Sequence, residues 1–96
     1  MVCMVILELQ EKPGGRGEVM ELIADFLPVT RQRDGYIEIL TLANTETEGV
    51  VLVEKWESRA HYDAYLGWRV ERGDIDRIMS LCAAPPSVRY FDLVDV

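Results

Sequence analysis

Every extended segment of this 96-residue chain is apolar on two sides. In VVLVEKW, residues 50–56, Val51 and Val53 alternate with Val50, Leu52 and Trp56. In YIEILTLA, residues 36–43, Ile37, Ile39 and Ala43 alternate with Leu40 and Leu42. Near the start, Cys3, Val5, Leu7 and Leu9 alternate with Met4 and Ile6. Successive strand side chains point to opposite faces, so a sheet of these segments needs cover on both. Helices of so short a chain cover one face, and the other would leave apolar surface on the order of several hundred Å², more than soluble monomers usually expose. This predicts a homodimer in which a second copy packs sheet to sheet about a two-fold axis.

Between these segments the spacing changes from two residues to three and four. Val19, Met20, Leu22, Ile23, Phe26 and Leu27 form one apolar stripe of a helix running from about Gly15 to Arg33. Pro28 cannot bond back to Ala24, which predicts a kink or an early end there, and Asp34-Gly35 stops the helix. The polar run 44–49 reads as a turn and a solvated loop, so residues 36–44 and 50–57 form a hairpin. Ser58 is placed to cap a helix reaching about Leu66 or a little beyond. Residues 69–73 read as a joint. Asp74 is placed to cap a second piece carrying Ile75, Ile78, Met79 and Cys82. The prolines at 85 and 86 end it, and 87–95 alternates as a last strand. The order β-α-β-β-α-β predicts an α+β, ferredoxin-like fold, a four-stranded antiparallel sheet with helices on one face. A differently wound α+β sandwich or a misjudged short helix are the alternatives.

A net charge of −7 without a basic cluster disfavours nucleic acid and anionic membrane surfaces. The N-terminal apolar run has no basic flank or cleavage site and is too short to span a bilayer, so a cytoplasmic protein of one domain, residues 1–96, is expected. Cys3 and Cys82 read as reduced, buried thiols. A single histidine and no close cysteine pair make a zinc site improbable, and no metal is expected.

The blocks KPG, TRQRDGY, VLVEKWESRAHYDAYL and APPSVRYFDLV, in this order over nearly the whole chain, resemble the antibiotic biosynthesis monooxygenase domain. The resemblance implies a dimeric α/β barrel with a pocket in each protomer between sheet and helices. It also implies a cofactor-independent oxygenase that converts a small aromatic phenol or quinol with dioxygen. Relatives that oxidise polyketide phenols carry an Asn four positions before a strand Trp and a Tyr six after it. Trp56 and Tyr62 match two of these positions, and Leu52 stands at the third. Other relatives read AHL where this chain reads AYL at Tyr65. The Asn and His of haem-degrading relatives have no counterpart at the matching places, which disfavours haem.

Three residues are candidates for chemistry. Tyr62, with Trp56 beside it across the strand–helix bend, is placed to donate a hydrogen bond to a substrate oxyanion. His61 has the side chain suited to a general base near neutral pH. The bland alternative for all three is core packing. Tyr36, Leu52, Glu54, Tyr65 and Trp68 are the expected substrate-binding lining. Glu8, Glu38 and Glu54 stand on otherwise apolar faces, where enclosure would raise a carboxyl pKa, and Arg89 is an ion-pair partner for one of them. Two further functions fit the same pocket: a non-catalytic ligand-binding or stress-response dimer, and an isomerase or lyase acting on a small ring compound.

Overall fold

The computed structural model describes all 96 residues. In chain order the elements are β1 (Cys3–Leu9), α1 (Arg16–Thr30), β2 (Tyr36–Ala43), β3 (Val50–Trp56), α2 (Arg59–Glu71), α3 (Asp74–Ser80) and β4 (Ser87–Asp92). The strands form one sheet in the order β2-β3-β1-β4, with every neighbouring pair antiparallel. This is the ferredoxin-like α+β arrangement that the alternation of spacing predicts.

Along β3, burial alternates strictly: Val50, Leu52, Glu54 and Trp56 are buried, and Val51, Val53 and Lys55 are half-exposed. The buried set faces the helices. Val19 and Ile23 of α1 pack with Leu9, Val50 and Leu52, while Tyr62 of α2 packs with Cys3, Val5 and Trp56. The opposite face carries no helix. There Leu40, Leu42 and Phe91 are 51%, 50% and 49% exposed, beside half-buried Met4, Ile6, Val51 and Val53. Glu8 and Arg89 pair on this face, as the ion-pair reading of Arg89 requires.

The structure departs from the sequence reading in four places. In β2, Tyr36 pairs with Trp56 but Glu38 pairs with Lys55, so Ile37 is an extra residue. This bulge moves Tyr36 off the face of Leu40 and Leu42 and onto the helix-covered one. Helix α2 runs to Glu71, well past Leu66. Asp74 does not cap α3; Gly73, with φ 78°, precedes the helix, and the Asp74 carboxylate turns inward to Arg69 and Arg72. The last strand ends at Asp92.

The acidic turn is more than a solvated loop. Arg16, at the start of α1, donates to the carbonyls of Asn44, Thr47 and Gly49. Its Nε also donates to buried Glu11 at 2.7 Å, and Glu11 accepts the Gly49 amide as well. Burial opposes ionisation of Glu11, but the Arg16 guanidinium and backbone amides outweigh it and hold the carboxyl below its usual range. This clamp ties the hairpin turn to α1.

Candidate active site

That space is a cavity of about 310 Å³ between the inner sheet face and the three helices, near the lower end of the roughly 300–1,000 Å³ typical of small-molecule sites. Its wall is largely aliphatic: Leu7 and Leu9 from β1, Leu52 from β3, Ile23 and Leu27 from α1, Ile78 from α3. Helix α2 contributes Tyr62, Tyr65, Leu66 and Arg69, the i, i+3, i+4, i+7 stripe that one helix face presents. Thr30, Glu54 and Cys82 are the remaining polar side chains in the wall.

The polar groups divide into committed and free. Arg69 is buried, and its Nη1 donates to Asp74 at 2.9 Å. Its Nη2 donates to the Phe26 carbonyl and to Thr30 Oγ1, both at 3.0 Å, and its Nε donates to the Tyr65 hydroxyl at 3.0 Å. Thr30 Oγ1 donates to the Phe26 carbonyl, so in the 2.8 Å contact between Thr30 and Tyr65 the phenol is the donor. Tyr65 therefore has its proton engaged and a lone pair occupied. Burial opposes ionisation of Asp74, yet Arg69 and Arg72 overcome it and keep the carboxyl below its ordinary range.

Glu54 and Tyr62 are different. Glu54 is 3% exposed, and its cross-strand neighbours are Val5 and Ile39. Burial pushes its carboxyl up to about 7, against one hydrogen bond from Trp56 Nε1 to Oε1 at 3.1 Å. No cation is close enough to counter the burial. Tyr62 is 2% exposed, yet its hydroxyl makes no hydrogen bond within the protein and is not sealed from the cavity. Burial, and then the charge of Glu54, push the Tyr62 pKa far up, so the phenol stays protonated and acts as a donor.

Of the residues singled out in the sequence, the structure gathers Leu52, Glu54, Tyr62 and Tyr65 at the cavity wall. Trp56 stands behind that wall, fully buried. Its indole stacks on Tyr65 at 4.9 Å between ring centroids and meets Tyr62 and Tyr36 edge-on at 5.8 and 6.0 Å. Tyr36 thus supports Trp56 and does not reach the cavity wall. Trp68 lies on the flank of α2 under the guanidinium groups of Arg33, Arg69 and Arg72.

His61 is one position out of phase with the Tyr62 stripe and faces away from the cavity. Ser58, the residue that caps α2, accepts the His61 amide and contacts Nδ1 at 2.7 Å. Nε2 lies 3.6 Å from Asp34 and 3.8 Å from Glu57. The ring rests on Gly35, whose φ of 86° and absent Cβ the contact requires: a Cβ there would stand 2.4 Å from His61. Asp34, Glu57 and His61 are the one grouping of three metal-ligand side chains, and it lies at the surface.

Sequence reasoning missed Arg69, Thr30 and Asp74. Arg69 is seven residues after Tyr62, so the same periodicity that selects Tyr65 and Leu66 also selects it. Reading 69–73 as a polar joint hid that signal.

In sequence, the antibiotic biosynthesis monooxygenase family matches residues 2–68. No curated protein matches significantly. Among solved structures, a conserved protein from Methanosarcina mazei Go1 superposes with a TM-score of 0.86 at 16% identity, covering 95% of this chain and 91% of its own. Rv0793 from Mycobacterium tuberculosis gives 0.81 at 22% identity, covering 100% and 98%. A Streptomyces coelicolor monooxygenase from ActVA-Orf6, in complex with nanaomycin D, gives 0.83 at 18% identity, covering 98% and 88%. At these identities the structures share the fold. The sequence match, over more than two thirds of the chain, shows that this protein belongs to the antibiotic biosynthesis monooxygenase family.

Proposed function

We propose that the cavity binds a small aromatic phenol or quinol and that the protein promotes its oxidation by dioxygen, with the substrate as the electron donor. The observation that carries this reading is the Tyr62 hydroxyl, protonated and without a protein partner, at the wall of an otherwise apolar cavity. A phenol that loses its proton becomes an electron-rich anion. Tyr62 donates a hydrogen bond to that oxyanion, and the aliphatic wall excludes water and strengthens the bond. One electron then passes to dioxygen, and the superoxide joins the ring carbon as a peroxide. Loss of that carbon's proton with cleavage of the O–O bond leaves one oxygen on the ring as a carbonyl and the other in water. Phenol plus dioxygen yields quinone plus water, so both electron pairs balance without a further reductant. The nanaomycin D held by the Streptomyces monooxygenase, on the same fold, supports a small organic ligand for the cavity.

Leu52 favours a second reading. It puts an aliphatic side chain at the place where phenol-oxidising relatives carry Asn, which suits a protein that binds its ligand without turning it over. Oxygen uptake with a panel of naphthols and quinols separates the two. For an accepted substrate, Tyr62→Phe should lower kcat by about 10²-fold while KM changes little, the usual size of losing one donor to an oxyanion. Unchanged turnover removes Tyr62 from the mechanism.

The bare outer sheet face completes the proposal. The exposure of Leu40, Leu42 and Phe91 there supports a second copy packing sheet to sheet to make a dimeric barrel.

A further inference from the structure

We propose that Glu54 is the base that takes the proton from the phenol in this cavity, and that Trp56 aims it. The inference rests on the reading that a phenol occupies the site.

This chain treats its buried acids in two ways. Glu11 and Asp74 are each 1–2% exposed, and each is held by guanidinium: Arg16 for the first, Arg69 and Arg72 for the second. Glu54 is as deeply buried and has no such partner. Arg69 lines the same cavity, but its bonds go to Asp74, Thr30, Tyr65 and the Phe26 carbonyl. A buried carboxyl without a cation is costly, and a cost left uncompensated beside a cavity is the pattern of a functional acid or base.

The geometry supplies the rest. Two-residue periodicity puts Leu52, Glu54 and Trp56 on one face of β3, with Glu54 in the cavity wall and Trp56 behind it. The indole N–H fixes Oε1 at 3.1 Å, and Oε2 has no protein partner. Trp56 is itself immobilised between Tyr36, Tyr62 and Tyr65. Tyr62 remains protonated and is a donor, so it is not the acceptor of the substrate proton. His61, outside the cavity, cannot reach it.

In the step itself, the phenol O–H bond breaks and its electron pair stays on the phenolic oxygen. An O–H bond forms on Glu54 Oε2, and Tyr62 holds the new oxyanion. The negative charge moves from carboxylate to substrate, which is the electron donor to dioxygen. The proton on Glu54 returns to the reduced oxygen and leaves in the water formed. A carboxyl pushed up to about 7 is well matched to this exchange near neutral pH.

Two measurements with 1-naphthol test the proposal. Under anaerobic conditions its affinity, read by fluorescence, should rise severalfold as pH increases through about 7, because an ionised Glu54 accepts the stronger hydrogen bond. Glu54→Gln should flatten that rise, and Trp56→Phe, which removes the indole donor, should move it to higher pH. With oxygen present, Glu54→Gln should lower turnover by about 10²-fold or more, and acetate should partly restore Glu54→Ala. A pH dependence identical in wild type and Glu54→Gln overturns the assignment. Binding of naphthol without oxygen uptake overturns the oxygenase reading alone and leaves Glu54 to the affinity profile. Failure to bind any naphthol or quinol overturns both.

Discussion

At the scale of single residues, Glu54 links stability to pH, and the sign follows from its burial. The carboxyl titrates near 4.5 in the unfolded chain and near 7 in the fold. Between these values the folded protein keeps a proton that the unfolded chain has released. Its stabilising effect is complete below the lower value and is lost as pH rises through the upper one. Over this window the loss is about 3 kcal/mol, since each pH unit between the two values is worth about 1.4 kcal/mol. Denaturant titrations at about pH 5 and about pH 8 should show wild type losing on this order relative to Glu54→Gln, whose neutral amide does not titrate. Equal losses in both proteins would mean that Glu54 is solvated in the fold. Tyr62 makes no comparable contribution, since both its states are protonated over this range.

At the scale of elements, one polar lock ties the three helices together around the cavity. Arg69 of α2 joins the C-terminal turn of α1, through Thr30 and the Phe26 carbonyl, to the first residue of α3, through Asp74. Its guanidinium also lies over the Phe26 ring at 4.2 Å. Asp74→Asn leaves a buried guanidinium without its counter-charge, and the cost expected is about 3–5 kcal/mol in chemical denaturation. A loss under about 1 kcal/mol would show that the pair is solvated and no more than a surface bridge. The elements themselves were legible in the sequence because spacing reports them: period two for β3, three-and-four for α1, and Ser58 at the change. The lock was not, because Arg69 and Asp74 are polar residues in a polar stretch, and only the fold reveals that they turn inward. The same limit applies at β2. Alternation groups Tyr36 with Leu40 and Leu42, and one inserted residue at Ile37 separates it from them. At the site, the family resemblance singled out Tyr62 and strand alternation singled out Glu54, and both stand at the cavity wall. His61, chosen for its imidazole, lies a single helical position away, about 100° around α2.

At the scale of the whole molecule, the sheet has two apolar faces with separate roles, and the strands assign them residue by residue. Inner side chains of β3 enclose the cavity, while outer ones meet Leu40 and Leu42 across the pair: Leu40 opposite Val53, and Leu42 opposite Val51. Because adjacent residues point oppositely, a charge placed on the outer face of β2 leaves the inner wall untouched. The double variant Leu40→Lys, Leu42→Lys puts four like charges about the two-fold axis of the proposed dimer, two from each copy, in an interface that is otherwise apolar. Sedimentation velocity should then find the wild type at twice the chain mass and the variant at the chain mass, with both giving the far-ultraviolet dichroism of the α+β fold. Naphthol affinity in the variant reports whether one protomer's cavity is sufficient. A wild type that sediments as a monomer at tens of micromolar would remove the dimer, because those leucines would then tolerate water without a partner.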